Sequence, residues 1–149
     1  MNLSELFNMQ ESFNENVSKN EVFQEHEMKY KKILALQIKI AEIASETNCY
    51  KYCKVNSNFD STVLLNKYTD CLHFIISIGL DHGYRADEVI PKSTDLNLTT
   101  QFENLYIDIN DFVVCSSMDH YITLIEDYIC LGTALKFAEK EILSSARLS

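Results

Sequence analysis

Breakers are scarce in this chain: one proline and three glycines in 149 residues. That excludes a string of short strands joined by tight turns, which needs punctuation every few residues. Period-two alternation is scarce too, so the chain is expected to be a single all-α domain, residues 1–149, of five to six long helices. No apolar run reaches the roughly 18 residues of a membrane span, and no signal peptide opens the chain. A cytoplasmic protein without a membrane partner is expected. The five cysteines (Cys49, Cys53, Cys71, Cys115, Cys130) are odd in number and scattered, which argues against a disulfide framework and for reduced thiols packed as small hydrophobes. Cys49 and Cys53 have a spacing that suits a shared metal, yet no second His or Cys pair completes a tetrahedral set.

Acidic residues outnumber basic ones 22 to 13, for a net charge of -9. Such a surface disfavours nucleic acid as a partner; it is compatible with a divalent-cation site but mostly signals solubility. No P-loop, Gly-rich dinucleotide loop, HExxH, Ser/His/Asp order or Cys/His signature is present. Of the histidines, His26, His82 and His120 fit no motif, and Asp81-His82-Gly83 reads as a turn ending a helix. Asp108, Asp111 and Asp119 read as solvated faces near helix ends.

What is present is a succession of amphipathic segments. Helices are expected over residues 3–16, with Ser4 as a cap, and 27–49, whose basic start (Lys29, Lys31, Lys32) pairs with Glu25 and Glu27 or is solvated. A turn with Asn56, Ser57 and Asn58 follows. The third helix, capped by Asp60 or Ser61, is expected to run to Asp81 and stop at Gly83. A loop with Pro91 spans 84–98. A fourth helix starts at Thr99 or Thr100, and a fifth, capped by Ser116 or Ser117, starts near Met118. Whether the fifth breaks at Gly132 stays open. No internal repeat is evident.

The third helix is the most apolar stretch, yet it carries Lys67, Asp70 and His73 at three-residue spacing. A helix apolar nearly all round is buried, and a polar strip on it needs partners. The expected partner is the segment 37–46, where Lys39, Glu42 and Glu46 recur at similar spacing, so that Lys39/Glu42 faces Lys67/Asp70.

These segments have a familiar order. MNLSELFNMQESFNENV, KKILALQIKIAEIASETNCYKY and LLNKYTDCLHFIISIGL resemble the dimeric all-α dUTPase family, helical relatives of MazG-type nucleoside triphosphate pyrophosphatases. The pattern of its gram-positive and phage members is roughly LxxLFxxQxxLDxxI, KxxALxVELxELANExxxFKxW and EEYVDxLHFLLSxGL. The likeness covers about residues 1–84; beyond 98 only a similar helical pattern remains. It implies an all-α pyrophosphatase fold, a homodimer, and Mg²⁺ ions held by an ExxE and an ExxD, which bind the triphosphate and activate water. Mg²⁺ takes hard oxygen ligands, and several ions at a triphosphate need several carboxylates.

This chain departs from that pattern. The first Glu of ExxE falls on Lys39 and the second is Glu42; the Glu of ExxD falls on Lys67 and the Asp is Asp70. Two lysines for two carboxylates change the local charge by about +4, and at an effective dielectric of 20 each unit-charge pair about 4 Å apart is worth on the order of 4 kcal/mol. Lysines facing acids pair with each other, so a metal-free salt-bridge cluster is expected. The closing C-terminal motif, YxxKNxxNxxRQxxGY, is replaced by FAEKEILSSARLS, where Lys140 and Arg147 are its only basic remnants. Cys53 stands where the family has Trp, and Asn14 where it has Asp.

The nucleoside end is kept. The resemblance assigns Gln10 to a uracil edge and matches His73, Phe74 and Lys51 to nucleotide-binding positions. The ordinary readings are a surface glutamine, a satisfied core histidine, a core phenylalanine and a solvated lysine. Glu46 reads as a supporting acid or as a partner of Lys51. The expected function is that of a degenerate, non-catalytic dUTPase-fold protein without a cofactor, acting in nucleotide sensing or through a regulatory protein partner. The alternative is an active pyrophosphatase converting dUTP or a related nucleotide, with Glu42 and Asp70 holding Mg²⁺.

Overall fold

The computed structural model describes residues 1–20, 25–52 and 59–149. Six α-helices follow in order: α1 Ser4–Asn20, α2 Glu25–Thr47, α3 Ser61–Asp81, α4 Leu98–Val114, α5 Met118–Ala134 and α6 Glu139–Leu148. Among the described residues the only β pairing is an isolated bridge between Asn2 and Glu88. The all-α expectation holds. Cys53 and the turn Asn56–Ser57–Asn58 lie outside the described residues.

The apolar character of α3 places it at the centre. Leu64, Tyr68, Cys71, Leu72, Ile75, Ile76 and Ile78 are buried, and the helix packs on α1, α2, α5 and α6. α4 packs on α5 and leans on α2, where the Tyr106 hydroxyl donates to the Gln37 carbonyl at 2.9 Å. The first residues are stitched to the connection before α4: Leu3 N–H donates to the Asp87 carbonyl (2.7 Å) and Val89 N–H to the Met1 carbonyl (3.0 Å). This fixes the entry of α1 and turns its Gln10 and Asn14 towards α3.

α3 and α5 approach closely because each offers a glycine to the other's tyrosine. A Cβ on Gly132 would land in the Tyr68 ring, and one on Gly79 in the Tyr121 ring. Both rings are fully buried, so neither has room to swing away. Tyr68 and Tyr128 stack with centroids 4.6 Å apart, and each hydroxyl donates to the other's carbonyl, at 3.1 and 2.7 Å. The Tyr-to-Gly interval is eleven residues in both helices. This two-fold echo escapes a search for repeats because the residues between differ.

Helix ends follow local chemistry. Asp60 accepts from the backbone of Thr62 and Val63, and Ser117 from His120, as expected. The cap of α1 is Asn2, which accepts from Ser4 N–H at 3.0 Å, and not Ser4; that of α4 is Asn97, not Thr99 or Thr100. In both cases a side chain just upstream reaches the first free N–H groups. α1 extends past residue 16 to Asn20, and Glu27 pairs with Lys31 at 2.8 Å. Gly83, at φ 74°, ends α3 as expected. The chain does not break at Gly132, which Tyr68 needs inside α5, but after Ala134, with Lys136 at φ 64°.

The cysteines described (Cys49, Cys71, Cys115, Cys130) are free thiols. Burial pushes Cys71 up to about 12, so it is a packing residue and not a nucleophile.

The reading of Asp108 as a solvated face is corrected. It is half-buried in the middle of α4, and its Oδ2 is shut off from solvent. Burial, then a hydrogen bond and like charge from Asp127 on α5, raise it to about 7. Two ionised carboxylates this close repel each other, so the pair favours holding a proton. The pKa of Asp108 is higher folded than unfolded, so the folded state binds more protons between about pH 4 and about pH 7, and stability falls as pH rises through that window. Asp108→Asn should flatten this slope and raise the melting temperature above wild type at about pH 8. Thermal melts of both proteins across that range test it.

Candidate functional site

Helices α1, α2 and α3 enclose an open pocket of about 790 Å³, within the usual size of small-ligand sites. α1 supplies an apolar wall, Met9, Phe13 and Val17, with Gln10 and Asn14 between them. α2 supplies Met28, Lys29, Lys32 and Lys39, and α3 supplies Asp70, His73, Phe74, Ser77 and Asp81. Helical periodicity explains the convergence on α3: steps of three and four residues from Asp70 through Asp81 keep these side chains on one face.

Gln10, His73 and Phe74, matched to the nucleoside end by resemblance, meet in this pocket. His73 is half-buried: Nδ1 lies 3.2 Å from Gln10 Oε1, and Nε2 lies 2.8 Å from the Ala146 carbonyl of α6. Gln10 Nε2 donates to Asn14 Oδ1 at 2.9 Å, Ser77 donates to the same oxygen at 3.0 Å, and Lys32 donates to Ser77 at 2.8 Å and to Asp81 at 2.6 Å. One hydrogen-bonded run thus crosses α2, α3, α1 and α6. Sequence reasoning found Gln10 and His73 but missed Asn14, Ser77 and Lys32 as their supports. The signal was there in the helical spacing of Gln10 to Asn14 and His73 to Ser77. Lys51 stands exposed beyond the end of α2 and does not line the pocket.

The four positions aligned with the metal ligands sit on the facing sides of α2 and α3, but not as mutual pairs. Lys67 Nζ meets Glu46 Oε1 at 2.5 Å, with both side chains about one-third exposed. Lys39 Nζ lies over the Phe74 ring, 5.1 Å from its centroid. Glu42 and Asp70 are exposed and make no ion pair among the described residues. The expected partners are therefore corrected: Glu46 takes Lys67, in place of either role read for it, and an aromatic face takes Lys39. Lys67 and Glu46 are placed end to end by their helices, whereas a half-buried ring offers Lys39 a cation–π contact without desolvating a carboxylate. All three charges of Lys39, Asp70 and Glu42 act on the Cys71 thiol between them.

The basic remnant Arg147 is committed to Glu5 at 2.5 Å and does not line the pocket. Arg85, packed over Phe7, binds Glu11 and Asp87 away from the pocket.

Among the described residues no three His, Cys, Asp or Glu side chains converge closely enough to hold a metal ion, and an ammonium stands at each of two positions where the resemblance expects a carboxylate, which suits Mg²⁺ poorly.

Lys67→Glu should lower stability by about 1 kcal/mol, by setting a third carboxylate beside Glu46 and Asp70 in a half-exposed seam. Millimolar Mg²⁺ should return that loss, and Lys67→Gln should show no Mg²⁺ response. Melting temperatures with and without the cation give the answer.

Among the described residues, no helix is long and apolar enough to cross a membrane. No curated protein and no solved structure matches this chain. A family model described as dUTPase matches residues 2–146. The match continues well past residue 84, where the likeness of motifs stopped, and takes in α4, α5 and most of α6. Six helices, no strand among the described residues and a profile match over nearly its whole length together show that the chain belongs to the dUTPase family.

Proposed function

We propose that this member of the dUTPase family has given up Mg²⁺-dependent cleavage and serves as a nucleotide sensor or regulatory protein that holds a deoxyuridine nucleotide. The observation that carries this reading is the Lys67–Glu46 ion pair, at 2.5 Å. It sets an ammonium where the family resemblance expects a carboxylate and ties up a neighbouring acid. Lys39 repeats the replacement on the opposite helix. Meanwhile Gln10, His73 and Phe74 still line one pocket. A binding end without its metal end suits recognition better than turnover.

A second reading rests on Asp70. It lines the pocket and is not neutralised by an ion pair among the described residues. With Glu42 it would offer two hard ligands to a single Mg²⁺, and the chain would be a slow dUTP pyrophosphatase.

The two readings part on pyrophosphate release from dUTP with millimolar Mg²⁺. The proposal expects none from the wild type and a gain of Mg²⁺ binding in the Lys39→Glu/Lys67→Glu double variant. Turnover by the wild type would establish the second reading.

The same proposal includes a homodimer. α2 exposes Leu34 and Ile38 (58% and 51%), and α4 exposes Ile107 and Val114 (56% and 87%), on two helices joined by the Tyr106–Gln37 bond. Exposed apolar side chains of that size on neighbouring helices suit an isologous contact. Sedimentation should show a dimer for the wild type and a monomer for Ile38→Lys/Ile107→Lys.

A further inference from the structure

The side chains lining the pocket carry three positive charges and two negative ones in a protein whose net charge is -9. Three ammonium groups line it, from Lys29, Lys32 and Lys39, against the carboxylates of Asp70 and Asp81. Lys32 and Asp81 are committed to each other. Lys29 and Lys39 have no carboxylate within ion-pairing distance among the described residues. The Lys39 ammonium instead rests on the Phe74 ring, 5.1 Å from its centroid. An aromatic face is a weak counter-ion, and an anion entering the pocket would draw the ammonium off it. The opposite wall is apolar, from Met9 and Phe13. A ligand that satisfies both walls has a flat apolar body and a multiply charged anionic tail.

We propose that this pocket binds the phosphate groups of a nucleotide without a metal ion, Lys39 and Lys29 supplying the positive charge that divalent cations would otherwise bring. The inference rests on the nucleotide-holding reading above and deepens it. A lysine ammonium is a compact point charge that pairs with phosphate oxygens in any orientation, so it needs no fixed coordination sphere. Its movement also uncovers the Phe74 ring for a base or sugar. Binding of this kind is insensitive to chelators and weakens with salt, since its attraction is between single charges near the surface.

Calorimetric titration of the full chain with deoxyuridine, dUMP and dUTP, in EDTA and again in Mg²⁺, tests this. The expected result is that phosphate adds about tenfold or more to affinity in EDTA, that Mg²⁺ adds nothing further, and that rising salt erodes the increment. Lys39→Gln should lose most of the increment, taken relative to that variant's own affinity for deoxyuridine, and Lys39→Arg should retain it. An increment that appears only with Mg²⁺, or survives Lys39→Gln, overturns the inference. So does deoxyuridine binding as tightly as its phosphates, which leaves the nucleotide-holding reading standing. Failure of all three ligands to bind in either buffer removes both.

Discussion

How near α3 comes to α5 governs the rest of this structure. Tyr68 and Tyr121 each enter a slot that exists only because Gly132 and Gly79 lack side chains. With its back thus held, α3 turns its other faces to α1, α2 and α6. The pocket is what remains between α1, α2 and α3 once the interlock has set the position of α3. The candidate site therefore depends on residues far from it: the tyrosines that never touch a ligand decide where His73 and Phe74 stand.

Given that frame, the charges on the α2–α3 seam settle according to reach and solvent. Coulomb's law alone would have paired each lysine with the nearest acid in the aligned motif. The structure pairs by geometry instead. Lys67 reaches Glu46 across the seam, and Lys39 lies on the Phe74 ring. Partly exposed pairs of this sort contribute little to stability. Their importance to the proposed function is electrostatic, because an ammonium repels a divalent cation.

The global layout was legible in the sequence where one residue type was enough to decide it. The near-absence of proline and glycine announced long helices, and the unbroken apolarity of residues 64–80 announced a central one. Gln10, His73 and Phe74 could be placed in one site through the order of motifs. What could not be read was whatever depends on a second helix: which acid Lys67 reaches, that Asp108 meets Asp127 across α4 and α5, and that Gly132 continues a helix because a tyrosine needs its space. Caps were half legible, since Asn, Asp, Ser and Thr compete within a residue or two and only backbone geometry chooses among them. Lys51 shows the reverse limit: its motif position suggested the pocket, and the chain leaves the pocket before reaching it.

The hydrogen-bonded run from Lys32 to Ala146 has a property that follows from counting its protons. A lysine at one end only donates, and a backbone carbonyl at the other only accepts. His73 must therefore give its Nε2 hydrogen to Ala146. Its Nδ1 faces the Gln10 amide, and the other end of that amide faces Asn14. The two amides are therefore not independent: whichever end of Gln10 meets the ring, the opposite end meets Asn14, and Asn14 must match it. The group that Asn14 turns to the pocket is thus decided at the histidine, one helix away.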